Sequence, residues 1–306
     1  MQSFWMLLAS LCFACMGVCV KLAALTHSAG EIVFYRSVVS LILVFVLVRV
    51  RGVTLATAQW RWQISRGILG FAALFTYFSA ITLLPLATAV TLNYTSAIFL
   101  GIYLAISGRR LQAGGFGSLV VGLAGVALLL RPTLGPDQIV GVALGLTSGA
   151  LAGMAYFSVR ELGARGEPET RTVFYFSLVS SAGAGPWLLG SEIHAIDPRS
   201  AALLFGVAGF ATAAQLAMTR AYAAGSTLLS AALAYSTVIF ASAFERILWS
   251  EAHGASSWLG MALIVASGVA ATRYSLVERT RGEHGPRGTL SNASQRDGKR
   301  RARYVS

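Results

Sequence analysis

Charged residues are scarce in this sequence. They make up 12% of its 306 residues, against about 25% in a soluble domain. Apolar residues make up 56%, and proline occurs only 7 times. The shortage of charge excludes a disordered chain and argues against a soluble globular enzyme. A series of apolar stretches fills the sequence, most of them close to the roughly 20 residues that cross a bilayer as a helix.

Cysteine is also scarce, and all three cysteines fall within one apolar stretch, at Cys12, Cys15 and Cys19. An odd number of cysteines on one helix does not form a disulfide framework. No histidine or fourth cysteine accompanies them to complete a zinc site. We therefore expect these residues to pack as small side chains, and we expect neither a metal nor another cofactor.

Signatures of catalysis are missing from the sequence as well. It contains no His-Glu-x-x-His, no Gly-x-Ser-x-Gly and no phosphate-binding loop motif. The four histidines fall in predicted loops or in the C-terminal tail. The chain is therefore predicted not to be an enzyme.

Ten apolar stretches predict an all-α polytopic membrane protein with ten transmembrane helices, and the lipid bilayer is its first expected partner. The stretches run over 4–25, 31–48, 64–84, 86–106, 115–130, 138–159, 172–190, 201–222, 227–248 and 257–275.

The net charge of +12 follows the pattern of membrane topology, which argues against a nucleic-acid partner. Most of the 24 lysines and arginines fall in the gaps on one side of the stretches or in the tail. By the positive-inside rule, both termini are predicted to be cytoplasmic. An excess of arginine over lysine favours a bacterial inner (cytoplasmic) membrane as the location. The basic tail, 276–306, is expected to be disordered.

An internal repeat divides the chain into two halves. Val33–Ser40 matches Val173–Ser180 in order and spacing, and Leu92–Thr95 matches Leu233–Ser236. Matches in the same order at nearly one offset indicate duplication. Each half, 4–130 and 138–275, holds five helices, and an odd number reverses the orientation of the second half. Inverted repeats with a site between them are typical of secondary transporters.

Sequence motifs add a family resemblance to this plan. The Phe34-Tyr35-Arg36 motif, the Leu83–Ala87 turn and the Gly260–Gly268 ending resemble the drug/metabolite transporter superfamily, specifically its EamA-type ten-helix permeases. The resemblance implies two five-helix repeats and transport of a small molecule. Family members often carry a glutamate at the end of the fourth and ninth helices. Glu251 matches that place in the second half, whereas Arg110 stands there in the first.

Charges within the apolar stretches are the first candidates for a site, because a charge in a bilayer is costly without a partner or a function. We predict that Arg36 or Lys21 binds the carboxylate of an anionic or zwitterionic substrate. A structural pair of Glu31 with Lys21 or Arg36 is the alternative. Glu245, near the outer end of the ninth stretch, is expected to form an ion pair or a gate, as are Glu31 and Lys21.

Polar and aromatic residues near the middle of the stretches are the other candidates. They would replace water around a bound substrate, while the aromatic faces bind its apolar part. Hydrogen bonding between helices is the alternative role. The substrate-binding candidates are Arg36, Tyr77, Asn93, Tyr94, Tyr156, Gln215, Tyr235 and Ser236.

These observations favour a secondary transporter that works by alternating access. It would move a small metabolite, an amino acid or a similar zwitterion or anion, most simply as an exporter. A membrane-embedded enzyme and a structural or assembly protein without transport activity are the alternatives. The fifth and tenth stretches contain few polar residues, so they are expected to support the bundle or to form a homodimer. Glycines at every fourth position from Gly141 to Gly153 predict a smooth ridge for helix packing.

Overall fold

The computed structural model describes residues 2–84, 86–108, 113–130, 138–189, 194–223, 226–249 and 254–283. Within these ranges, all regular secondary structure is α-helical, in twelve helices. The helices are α1 (Gln2–Ala23), α2 (Ala29–Val50), α3 (Trp60–Leu83), α4 (Leu86–Tyr94), α5 (Ser96–Ile106), α6 (Ala113–Leu130), α7 (Ile139–Ala164), α8 (Glu169–Leu189), α9 (Pro198–Ala223), α10 (Thr227–Ala234), α11 (Ser236–Trp249) and α12 (Ala255–Glu283).

The ten predicted spans are confirmed as helices, eight of them continuous and two built from a pair of helices. Over the described residues, six segments are long and apolar enough to cross a membrane: Ser3–Ala23, Gly30–Val50, Ala89–Ile106, Ile139–Ala164, Pro198–Ala223 and Thr227–Leu248. Two shorter apolar helices are Gly114–Leu129 and Ala255–Ala271. The protein is therefore a multi-pass membrane protein.

The third and seventh spans, α3 and α8, are not among these apolar segments. Both begin with polar residues, including Arg61 and Arg66 in α3 and Glu169 and Arg171 in α8. The two helices pack against each other, and α8 also packs on α2 and α9. The less apolar spans therefore contribute to the interior of the bundle.

The fourth span is broken at Thr95 and the ninth at Tyr235, within one residue of each other in the repeat. These breaks depart from the continuous helices that the sequence predicts. The Thr95 hydroxyl donates to the Leu92 carbonyl at 2.5 Å, and the Ser236 hydroxyl donates to the Leu233 carbonyl at 2.7 Å. Side-chain bonds of this kind compete with the helical ladder and bend helices. The matched residues of the repeat thus make the same local break.

Helix pairings occur in matching sets across the two predicted halves. The first span packs on the eighth (α1 on α9), and the third packs on the sixth (α3 on α7). The second span meets the seventh (α2 on α8), and the fifth meets the tenth (α6 on α12). If each span is replaced by its counterpart in the other half, the pairing of the first and eighth spans becomes that of the sixth and third. The pairings of the second with the seventh and of the fifth with the tenth remain the same. The residue limits of the two repeats stay a prediction.

The fifth and tenth spans contact each other closely within one chain. A methyl group on Gly125 would lie 2.7 Å from the Gly260 carbonyl oxygen, and one on Gly260 would lie 2.6 Å from the Gly125 oxygen. Glycine on both sides lets the two backbones approach. The fifth and tenth spans therefore pack against each other within one chain, through the faces that carry Gly125 and Gly260.

The last helix is longer than the sequence predicts. The tail was expected to be disordered from 276, but α12 continues to Glu283. Leu276, Glu278 and Arg279 are good helix formers, so they can prolong the helix beyond the apolar segment. The remaining tail, 284–306, lies outside the described residues, as do Arg110 and Glu251.

Candidate functional site

A small cavity lies between the second, seventh and eighth spans. Its volume has room for about one water molecule, so a metabolite requires its walls to move apart. The lining comes from three helices: Arg36, Ser37 and Ser40 of α2, Val173, Phe176, Ser177 and Ser180 of α8, and Ala211, Thr212 and Gln215 of α9.

The cavity lining follows the internal repeat. Ser37 of α2 matches Ser177 of α8, and Ser40 matches Ser180. Both matched pairs face the same space. The cavity therefore lies where the two halves of the chain meet, which is the place where inverted-repeat transporters bind their substrates.

Arg36 brings a positive charge to this cavity. Its Nε is buried and has no hydrogen-bond partner. No aspartate or glutamate is among the described residues that line the cavity. An unpaired buried cation is costly, and a ligand with acceptor oxygens would offset that cost.

Arg66 of α3, which the sequence does not single out as a site residue, lies beside the same cavity. The residue is only 3% exposed. Its Nη2 donates to the Gln215 Oε1 at 3.4 Å, and its guanidinium lies 4.4 Å from the centre of the Phe176 ring. Its Nε and Nη1 are buried without a partner. The polar start of α3 hides this depth in the sequence, because α8 and α9 supply the cover.

Four tyrosines form two ring pairs in the bundle. The Tyr94 and Tyr235 rings, which match in the repeat, have centroids 5.7 Å apart. The Tyr156 and Tyr222 rings stack at 5.2 Å. Tyr235 is fully buried, and its hydroxyl donates to the Leu119 carbonyl at 3.3 Å. The Tyr94–Tyr235 pair thus lies across the contact between the two halves, whereas the Tyr156–Tyr222 pair joins α7 and α9 within the second half.

Three other predicted site residues make contacts within the bundle. The Asn93 amide donates to the Ser148 hydroxyl at 2.7 Å, and Ser148 donates to the Ala73 carbonyl at 3.0 Å. Tyr77 packs against the cluster around Ala80. The Ser236 hydroxyl forms the bond to Leu233 that breaks the ninth span. Asn93 and Ser236 therefore have structural partners, and their roles toward a substrate stay a prediction.

Glu31 closes one end of the cavity region, but its partner is a histidine. Its Oε2 accepts from the Ser28 N–H at 2.7 Å, and its Oε1 accepts from the His194 N–H at 2.6 Å. His194 Nδ1 lies 2.9 Å from Oε2. The predicted alternative, a pair with Lys21 or Arg36, is wrong, because the capping box of α2 and the chain before α9 already surround this carboxylate. We call Ser28, Glu31 and His194 the Glu31 closure.

The two remaining gate candidates, Lys21 and Glu245, are not among the residues of the Glu31 closure. Lys21 is exposed in the last turn of α1. Glu245 lies in α11, but its side chain is outside the described part of the structure. Their roles stay a prediction.

A second polar cluster closes the opposite end of the bundle. Glu167, in the loop after α7, accepts from the Thr57 hydroxyl at 2.5 Å, from Gln63 Nε2 at 3.0 Å and from Arg171 Nη1 at 2.9 Å. Arg171 also donates to the Thr54 carbonyl at 2.7 Å. Burial favours the neutral acid, but bonds from Thr57 and Arg171 outweigh it and lower the pKa of Glu167 below its ordinary value of 4.5. We call these five residues the Glu167 closure.

Comparisons with known proteins agree on one family. The model of the EamA-like transporter family matches residues 1–131. The pseudopaline exporter CntI of Pseudomonas aeruginosa is 31% identical over 267 residues, which cover 87% of this chain and 94% of that protein. The chain belongs to the EamA-like transporter family. An uncharacterized transporter of Helicobacter pylori is 26% identical over 276 residues, covering 86% and 91% of the two chains.

A solved structure shares the fold of this EamA-like transporter. It is 18% identical, covers 89% of this chain and 98% of its own, and superposes with a TM-score of 0.77. Family membership also decides between the functional classes left open by the sequence. The protein is a transporter and not an enzyme.

Sequence reasoning missed several residues of the EamA-like transporter's site. The serines at 177 and 180 had a signal, because they match Ser37 and Ser40 in the repeat. No sequence signal pointed to Arg66 or to the partners of Glu31 and Glu167, because their roles depend on which loops and helices come together in the folded bundle.

Proposed function

We propose that this transporter exports a small anionic or zwitterionic metabolite across the bacterial inner membrane by alternating access. The observation that carries the proposal is the buried, unpartnered Nε of Arg36 beside a cavity without a described acid. A substrate carboxylate supplies the missing partner through charge-assisted hydrogen bonds. Gln215 and the cavity serines supply further polar contacts to the same molecule.

The two closures support alternating access. The Glu31 closure joins the start of α2 to the chain before α9, and the Glu167 closure joins two loops at the other end of the bundle. With both closed, the cavity between them is too small for a metabolite. Opening one closure at a time exposes the cavity to one side of the membrane and then to the other.

The closures also support the proposed topology. The loop of residues 51–59 and the loop of residues 165–168 lie on one face of the bundle, because Thr57 bonds Glu167. Both flank arginine-rich segments, so the positive-inside rule assigns this face to the cytoplasm. Both termini are then cytoplasmic, and the Glu31 closure faces outward. Similarity to an exporter supports this direction of transport.

Transport by purified protein in proteoliposomes tests the proposal. The vesicles are loaded with a panel of labelled amino acids, carboxylates and neutral metabolites, and efflux is followed for wild type and for Arg36→Gln. Loss of hydrogen bonds to a charged group costs about 1.5–3 kcal/mol, so we expect roughly a 10- to 100-fold loss in transport efficiency for anionic or zwitterionic substrates.

Arg61→Gln is the matched control, because Arg61 is an exposed arginine on α3. It should transport like wild type. Preference for neutral metabolites, or equal loss of activity and of folded protein in Arg36→Gln, would contradict the proposal.

We also propose that the fifth and tenth spans form a homodimer contact. Val121 of α6 and Trp258, Leu259 and Val265 of α12 are exposed on these paired helices. Native mass spectrometry from membranes should detect two copies together. Single copies throughout, or dimers unaffected by charged substitutions at Val265, would contradict this arrangement.

A further inference from the structure

The cavity region is rich in donors and poor in acceptors. Besides the Nε of Arg36, the Nε and Nη1 of Arg66 and the hydroxyl of Ser180 are buried without a hydrogen-bond partner. Buried donors in folded proteins are almost always satisfied. Arg36 and Ser180 line one cavity, and Arg66 contacts two of its lining residues, so a ligand with several acceptor oxygens would satisfy these donors. The other described buried polar atoms without a partner, on His27, Gln63 and Thr219, lie outside that lining.

The positive charge of the site also favours a negatively charged ligand. Arg36 and Arg66 reach the same region, because Phe176 and Gln215 line the cavity together with Arg36 and also contact Arg66. Moving one such cation out of water costs several kcal/mol without a counter-charge, and a second cation nearby adds repulsion. No described aspartate or glutamate forms an ion pair with either residue. Full compensation of the arginine pair therefore requires two negative charges.

The surroundings of Arg66 keep its guanidinium in place. Phe176 lies against its face, and Gln215 accepts from its Nη2. Both of these residues also line the cavity with Arg36. An arginine held by a ring face is pre-organised to bind a carboxylate through its in-plane N–H groups.

We propose that Arg36 and Arg66 together bind a substrate with two carboxylate groups. The inference deepens the proposed function and rests on it. Each guanidinium binds one carboxylate, and the Ser180 hydroxyl donates to one of the two. The spacing between the carboxylates is set when the second, third and seventh spans move apart to admit the substrate.

Binding of matched probes to purified protein tests this inference. Succinate, glutarate and adipate are compared with butyrate, pentanoate and hexanoate, which have the same chain lengths and one carboxylate fewer. Inorganic phosphate tests whether any dianion suffices. Affinities are taken from the rise in thermal midpoint at constant ionic strength.

Wild type should bind at least one dicarboxylate about 10-fold or more tightly than its monocarboxylate partner, a difference of about 1.4 kcal/mol. Arg66→Gln should remove that preference while monocarboxylate binding through Arg36 remains. Arg61→Gln should keep the wild-type preference. Equal affinity for both classes in wild type, an unchanged preference in Arg66→Gln, or tighter binding of phosphate than of any dicarboxylate would overturn the inference.

Stability without ligand separates a binding role of Arg66 from a structural one. Because Arg66→Gln removes an unpaired buried charge, its thermal midpoint without ligand should equal or exceed that of wild type. A fall in the midpoint would indicate a structural role and overturn the inference. If Arg66→Gln does not fold, Arg66→Lys keeps the charge without the planar fork and should show a reduced dicarboxylate preference.

Failure of this inference is distinguishable from failure of the proposed function. Wild type could transport amino acids or monocarboxylates as efficiently as dicarboxylates, and Arg36→Gln could lose that transport. This outcome would support the proposed function and would contradict the inference that the substrate carries two carboxylates. A protein that moves none of the panel overturns both.

Discussion

Gly149 places the backbone of α7 directly against the break in the fourth span. A methyl group there would meet the Thr95 hydroxyl and would lie 2.9 Å from the Leu92 carbonyl oxygen. Those two groups form the bond that breaks the span. The predicted glycine ridge of α7 therefore packs against the interrupted part of the fourth span, and Gly149 has no space for a side chain.

Gly149→Ala should destabilise the protein by about 1–3 kcal/mol, because overpacking forces the neighbouring backbone to shift. The thermal midpoint of the purified protein in detergent measures the effect. Gly17→Ala is the control, since a methyl group on Gly17 meets nothing within 4 Å. An equal midpoint for both variants would show that α7 can move away from the fourth span.

The residue scale also shows what the sequence could and could not predict about the site. Arg36 and Gln215 were predicted and line the cavity. Arg66 was missed because five of the six residues that precede it in α3 are polar or aromatic, so hydropathy assigns it to the membrane surface. Its burial depends on Phe176 and Gln215, more than a hundred positions away. Only tertiary packing could show that depth.

At the scale of elements, the matched breaks in the fourth and ninth spans are the main departure from sequence. Both segments are apolar over most of their length and contain no proline or glycine at the break, so the sequence predicts one helix in each. Thr95 and Ser236 form side-chain bonds to the residue three positions earlier. Serine and threonine often make such bonds without breaking a helix, so the hydroxyls alone could not predict the breaks. The breaks lie beside the Tyr94 and Tyr235 contact between the halves.

These breaks are expected to act as hinges during transport. Thr95→Val and Ser236→Ala remove the two hydroxyls and favour straighter helices. Each variant should slow the maximal transport rate several-fold while the substrate concentration at half-maximal rate changes little. Kinetics in proteoliposomes measures both quantities.

Thr147→Val is the control for the hinge variants, because the exposed Thr147 makes a similar bond within the unbroken helix α7. It should transport like wild type. Changes confined to the half-maximal concentration would assign Thr95 and Ser236 to substrate binding and contradict the hinge role.

At the scale of the whole molecule, the repeat explains how the two ends close. Glu31 and Arg171 hold the same place in the two halves, two residues before the matched Val33 and Val173. Each bonds the chain on the far side of a neighbouring span, Glu31 through His194 and Arg171 through Thr54. The two closures are thus built at equivalent positions, with opposite charge.

The sequence could predict this global plan more fully than its details. Span count, helical class and the matched halves follow from apolar length and from self-similarity, which are properties of the chain itself. The partners of Glu31 could not be predicted, since the loop that carries His194 follows α8 and reaches Glu31 only in the folded bundle. Local pattern predicted the helical class and the number of spans, but it missed the breaks in the fourth and ninth spans and the extension of α12 to Glu283. Contacts between distant loops could not be predicted from it.

Access to the cavity from both sides of the membrane tests the central claim most directly. Ser177→Cys, in a variant whose three natural cysteines are replaced, places one thiol in the cavity lining. A membrane-impermeant maleimide is added to right-side-out vesicles and, separately, to inverted vesicles. Alternating access predicts labelling from both sides. Labelling from one side only, or from neither, would contradict a transport site at the Arg36 cavity.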